Sequence, residues 1–219
     1  MSKLKPGVLG TFFGKTGRVV VVKWRDQLVG RSEPSVPTKP PTKKQMEQRK
    51  KFGTVTSFLG TLTEAINMGY SSRSKVNGTS AAVRDNLKIA VYGSYPDYQI
   101  DYPKVIVTKS DNGFHGGFSV SVESGAQRKV TVNWNALNSD EHIPGTAGPT
   151  DLANVVFYNV NKRKSTYCFG TVKRNARTAS YKLPVHYVGH EFHAYLFFTS
   201  ADGRYISTSD YLGKFILQD

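Results

Sequence analysis

Apolar residues recur along this chain in two rhythms, and the change falls near residue 94. From Tyr95 onward the period is two. KVIVTKS, FSVSVES, KVTVNWN, NVVFYNV, STYCFGTVK, ASYKLPV, EFHAYLFFTS and RYISTSDYLGKFIL are short runs rich in β-branched and aromatic residues. Asp111-Asn112-Gly113, Ser124-Gly125, the loop NSDEHIPGTAGPTD and Asp202-Gly203 divide them. Some seven or eight strands in about 120 residues is the spacing of a β-sandwich. Alternation within EFHAYLFF sets Phe192, Ala194, Leu196 and Phe198 on one face, with Glu191, His193, Tyr195 and Phe197 on the other.

Before that boundary the period is helical. Thr42 offers an N-cap and Gln45, three residues on, completes a capping box. Phe52, Val55, Phe58, Leu59, Leu62 and Ile66 form one apolar stripe of a helix that Gly69 closes. Lys43, Lys44, Glu47 and Lys51 read as its solvated side, and Gly53 and Gly60 weaken it or allow close packing. A shorter helix follows Asn77-Gly78-Thr79, with Val83, Leu87, Ala90 and Val91 on one side and Gly93 as its stop. The two can pair as an αα-hairpin.

The first residues read as two strands, Val8–Phe13 and Arg18–Val29, around the turn Gly14-Lys15-Thr16-Gly17. Pro34, Pro37, Pro40 and Pro41 then make an extended spacer of polyproline-II type. The expected architecture is mainly β: an immunoglobulin- or fibronectin-like sandwich (94–219), an inserted two-helix hairpin (42–93), and an N-terminal β-hairpin arm with its proline-rich linker (1–41).

Charge changes how that arm reads. Residues 1–51 hold thirteen Lys and Arg against three Asp and Glu, so they carry +10 of the chain's +14. The pI of about 9.8 makes polyanions plausible partners. An isolated hairpin is marginal in water, so the arm must lie on its own body or on a neighbour. In the assembly reading, Phe12, Phe13, Val20, Val22 and Trp24 enter a second copy, and main-chain hydrogen bonds supply affinity. In the competing reading, Lys15, Arg18, Lys23, Arg25 and Arg31 sit on nucleic-acid phosphates or on an acidic protein. In the plainest reading the lysines are a solvated face.

No reaction is encoded in a recognisable motif. GTFFGKT places three residues between Gly10 and Gly14 where a phosphate-binding loop needs four, and a valine run follows where a helix should open. His186, His190 and His193 lie close in sequence around Glu191. On a strand, positions 190 and 193 face opposite sides, which argues against a metal site. Cys168, the single cysteine, sits in an apolar run and reads as an inert thiol, suited to a reducing cytoplasm. Asp140-Glu141 beside His142 reads as solvated loop. The expectation is no enzyme, no metal and no cofactor. No signal peptide is legible, and no apolar run approaches the ~20 residues needed to span a bilayer.

Two resemblances extend this reading. Trp134 in VTVNWN and the hairpin SADGRYISTS make the last 120 or so residues similar to a fibronectin-type-III or immunoglobulin-like sandwich. Over its length the chain resembles an uncharacterised family of small Bacteroidota proteins, through GVLGTFFGKTGRVV, TKPPTKKQMEQRKKF, YPDYQIDYPKV and HAYLFFTSADGRYISTSDYLG. The spacing of Thr42, Gln45, Arg49 and Phe52 is also similar to a segment of uncharacterised phage-like proteins. The resemblances imply no activity. The functional expectation is a structural subunit of a homomeric, phage-like particle, tail or filament, located in the cytoplasm or in a particle assembled there. Its copies are joined through the arm; the alternative is a nucleic-acid-associated module using the arm's cations.

Overall fold

The computed structural model describes residues 2–4, 13–24, 27–36, 38–70, 78–110, 113–135 and 148–219. In chain order the elements are β1 (Ser2–Leu4), β2 (Gly14–Thr16), β3 (Val19–Trp24), β4 (Gln27–Ser32), α1 (Lys43–Gly60), α2 (Thr63–Gly69) and α3 (Gly78–Ile89). They continue with β5 (Val91–Tyr92), β6 (Gln99–Ile100), β7 (Phe118–Ser124), β8 (Lys129–Asn135), β9 (Leu152–Asn159) and β10 (Lys164–Lys173). The last three are β11 (Thr178–Lys182), β12 (Glu191–Thr199) and β13 (Asp210–Ile216). The chain divides into a unit of residues 1–42 and a unit of residues 43–219.

The larger unit is three layers deep. Antiparallel β10-β9-β12-β13 form its middle sheet, and β11-β8-β7 form a second sheet that closes a sandwich. Phe192, Ala194, Leu196 and Phe198 of β12, with Ala153, Val155 and Phe157 of β9, meet Val130, Val132 and Trp134 of β8 in one core. Tyr195 and Phe197 of β12, with Val156 and Tyr158 of β9, meet Val55, Phe58, Leu59, Leu62 and Ile66 in another. The alternation read in EFHAYLFF is therefore the division between two cores. Both faces of the two central strands are covered, so from Ala194 to Phe198 the run is apolar or aromatic throughout. Each large apolar side chain buried this way contributes about 1.5–3 kcal/mol.

The helical region differs from its sequence reading in three ways. The single long helix breaks after Gly60. Thr61 N and Leu62 N bond back three residues to Phe58 O and Leu59 O, and the Thr61 and Thr63 hydroxyls take the Phe58 and Gly60 carbonyls. Phe52 leaves the buried stripe and stands exposed. The second helix ends at Ile89, and Val91 passes into the short β5–β6 pair. Gly69 is required by contact: a Cβ there would collide with Thr108.

KVIVTKS has the composition of a strand but pairs with none. Several of its backbone groups go to side chains instead: Ile106 N donates to Asn86 Oδ1, Asn86 Nδ2 donates to Ile106 O, and Val107 N donates to Ser209 Oγ. The β-branched residues still serve, since Val105 and Val107 are buried under the helices. In the last run, only Asp210–Ile216 is strand, preceded by a lone bridge from Ile206 to Thr199.

The smaller unit is a four-stranded antiparallel sheet in the order β1-β4-β3-β2, where the sequence suggested one hairpin. The long strand Arg18–Val29 divides into β3 and β4, which pair from Val19↔Ser32 to Trp24↔Gln27. The turn shifts as well: Gly14, Lys15 and Thr16 are β2, and Gly17-Arg18 is the loop. Gly17, at φ +59°, is the first of two loop residues, where a hairpin needs a positive φ. The expected strand Val8–Phe13 lies outside the described residues apart from Phe13.

Candidate functional site

The side chains of β3 alternate, so Val20, Val22 and Trp24 share one face of the smaller sheet and Val19, Val21 and Lys23 share the other. Cross-strand pairing brings Lys15 and Arg31 beside Val20, and Val29 beside Val22. Three of the expected interface residues and two of the expected cations thus lie on one face, while Lys23 lies on the opposite one. Trp24 is 59% exposed, Phe13 61% and Val22 38%, whereas Val20 is half-buried. Phe12 and Arg25 fall outside the described residues. Only Val21 and Val29 are buried apolar side chains among the described residues of this unit. Against those two, Phe13, Val19, Val22 and Trp24 are exposed.

Lys15 forms an ion pair with Glu33, and Glu33 N donates to Arg18 O at 2.8 Å. Both partners of the pair are exposed, so it adds little stability. Lys15, Arg18, Lys23 and Arg31 all have exposed side chains. Lys15 on the edge strand β2 and Arg31 on β4 flank Val20 on the face that also carries Val22 and Trp24, so that face is both apolar and cationic.

The residues singled out for chemistry are separated by the fold. His190 Nδ1 lies 3.0 Å from Asn159 Nδ2, and His186 belongs to a 3-10 turn at Val185–Tyr187. His193 stacks on Tyr102 at 3.9 Å between ring centroids, and its Nδ1 is 2.8 Å from Tyr211 Oη. Burial, opposed by the Glu191 carboxylate 3.5 Å from Nε2, pushes its pKa down to about 4. A neutral ring with Nε2–H towards Glu191 and Nδ1 accepting from Tyr211 satisfies these contacts. Cys168 is half-buried, and burial raises its thiol to about 11. No group of three metal-ligating side chains occurs among the described residues. Asp140, Glu141, His142 and residues 9–12 lie outside them.

Two features escaped the sequence reading. Arg174 is buried: Nη1 and Nη2 donate to Gly116 O and His115 O at 2.8 and 2.9 Å, and Nε lies 3.2 Å from Asp151 Oδ2. Its carbonyl accepts from Trp134 Nε1 at 2.7 Å. KRNAR is polar and basic, and nothing local marks Arg174 as a core residue. The second feature is the leading half of α1, where no residue from 43 to 54 is buried. That signal was available, because Lys44 and Lys51 fall on the same helical line as Val55 and Phe58.

A family model described as a family of unknown function (DUF6266) matches residues 11–213. A search of curated proteins returned no match. Among solved structures, one titled "Myokine structure" is similar at 14% identity and TM-score 0.36, covering 49% of this chain and all of the other. Chicken CNTN1 FN1-FN3 domains align at 8% identity and TM-score 0.36, over 51% of this chain and 34% of theirs. The fn3 domain of human contactin 1 aligns at 9% identity and TM-score 0.33, over 51% and 84%. Among the described residues no helix is long and apolar enough to cross a membrane.

Proposed function

The chain belongs to DUF6266, a family of unknown function, and from that premise we propose that it is a non-catalytic structural subunit whose N-terminal unit joins it to further copies of itself. The observation that carries this reading is the exposed face of the smaller sheet. Phe13, Val22 and Trp24 present apolar surface to water from a unit whose buried apolar side chains, among the described residues, are Val21 and Val29. Exposed apolar patches of this kind mark protein contact surfaces. Among the described residues β2 is an edge strand of that sheet, and strand addition by a neighbour would take its outer side. Contacts of one such surface with a different surface on the next copy generate rings or filaments, which fits a phage-like particle, tail or filament.

The test is solution mass by light scattering on the full chain and on the variant Phe13→Ser/Val22→Ser/Trp24→Ser. The parent should run as a multiple of 24.3 kDa, and the variant should fall to the monomer. An unchanged mass in the variant, or a monomeric parent, rejects this assembly surface.

A further inference from the structure

We propose that the leading half of α1, residues 43–54, is a docking element for duplex nucleic acid, gripping its phosphate backbone through Lys43, Lys44, Arg49, Lys50 and Lys51. α1 runs from Lys43 to Gly60, yet its buried residues are Val55, Phe58 and Leu59, all in its final third. The first twelve residues extend about 18 Å without a buried side chain. Five of them are cations and one, Glu47, is an anion. None of the five cations takes part in an ion pair among the described residues.

Their placement follows from the helical period. Residues seven apart lie nearly in line, so Lys43 and Lys50 form one stripe and Lys44 and Lys51 another, about 100° round the helix. The second stripe continues the line of Val55 and Phe58. The side of α1 that is apolar where it meets the other helices becomes cationic where it leaves them. A helix is roughly 10–12 Å across with its side chains, and a duplex major groove is about 12 Å wide. Stripes on two sides of the cylinder, with Arg49 on a third, can reach phosphates on both walls of such a groove.

Charge and pattern favour this occupant over the alternatives. A helix lying on an anionic membrane needs a continuous apolar face opposite its cations. Here the apolar side chains are Met46 and Phe52, which stand about 120° apart round the axis. A second copy supplies no surplus of negative charge, because residues 52–219 themselves carry a net +4. The proposal does not rest on the assembly reading: the smaller sheet and this helix belong to different units.

The experiment is fluorescence anisotropy of the full chain with a labelled duplex of about 20 base pairs, as DNA and as RNA, from ~50 to ~200 mM salt. It is repeated on Lys43→Gln/Lys44→Gln/Lys50→Gln/Lys51→Gln, on the matching four-fold Lys→Arg variant, and on Lys15→Gln/Lys23→Gln/Arg31→Gln. The parent should bind with a steep salt dependence. The helix Gln variant should bind at least ~10-fold more weakly, its log K against log salt flattened by ~0.9 for each DNA phosphate it no longer neutralises. The Lys→Arg and sheet variants should keep the parent slope, and circular dichroism should match throughout. A parent that binds neither duplex overturns the proposal, as does a helix Gln variant with parental affinity. A slope that flattens in the sheet variant instead overturns it too, as does retention only by anionic vesicles or polyglutamate.

Discussion

The guanidinium of Arg174 lies over the ring of Phe198, 3.7 Å from its centroid. Phe198 also meets Trp134 edge-on at 5.7 Å, so a charged group is packed into the aromatic centre of the sandwich. Burial pulls the Arg174 pKa down to about 10, with Asp151 holding it up, and it stays charged at neutral pH. Breaking a buried pair by removing one partner leaves an uncompensated charge, at a cost of about 3–5 kcal/mol. Arg174→Met should therefore lower unfolding stability by that amount in denaturant titrations. Adding Asp151→Asn to it should recover part of the loss, because the stranded carboxylate is then gone.

His193 gives the larger unit a pH dependence of definite sign. Its folded pKa is near 4, against about 6.5 for an ordinary histidine. Below 6.5 the unfolded chain binds a proton that the folded chain refuses. The contribution is complete above about pH 6.5, declines as pH falls towards 4, and amounts to about 3 kcal/mol. Comparing denaturant unfolding of the parent and His193→Gln from pH 7 to pH 4 isolates it. The difference between them should shrink by roughly that figure as the pH falls.

Gly69 and Thr108 approach too closely for a side chain at position 69. Thr108 is itself held from the other side, its hydroxyl donating to Ser207 O at 2.8 Å. Gly69→Ala should destabilise by about 1–3 kcal/mol through overpacking, although alanine is the better helix former. Thermal unfolding would show it as a lower Tm.

Deleting residues 1–32 removes all four strands of the smaller sheet. On the assembly reading, light scattering should then give a monomer, while the unfolding free energy of the larger unit stays within about 0.5 kcal/mol of the parent value. A truncated chain that keeps the parental mass places the interface elsewhere.

Lys44 stands in the first turn of α1, which carries no acidic residue. A positive charge there opposes the helix dipole. Lys44→Glu should raise stability by about 0.3–1 kcal/mol and weaken duplex binding, so the two measurements should move in opposite directions. A rise in both would separate this lysine from the proposed contact.

Much of the larger unit was legible in the residue pattern. FSVSVES and KVTVNWN are β7 and β8 residue for residue. The alternation in EFHAYLFF set Phe192, Ala194, Leu196 and Phe198 on one face and Tyr195 and Phe197 on the other, and the two sets lie in different cores. Period and turn chemistry are local properties, and these segments obey them. The candidate surface was legible in part: the run from Val19 to Trp24 signalled an apolar strand, but its faces depend on where Thr16 and Ser32 pair.

What the amino-acid order determined by itself was therefore the β class, most strand positions, the apolar helical stripe and the placement of +10 in residues 1–51. The tertiary structure alone decided that KVIVTKS gives hydrogen bonds to Asn86 and Ser209, and that Arg174 is buried against the ring of Phe198. It also decided that Phe52 is exposed. The physical reason is that periodicity specifies which way a side chain points, whereas burial and hydrogen-bond partners depend on what another part of the chain, 20 residues away for Asn86 and 102 for Ser209, brings to meet it.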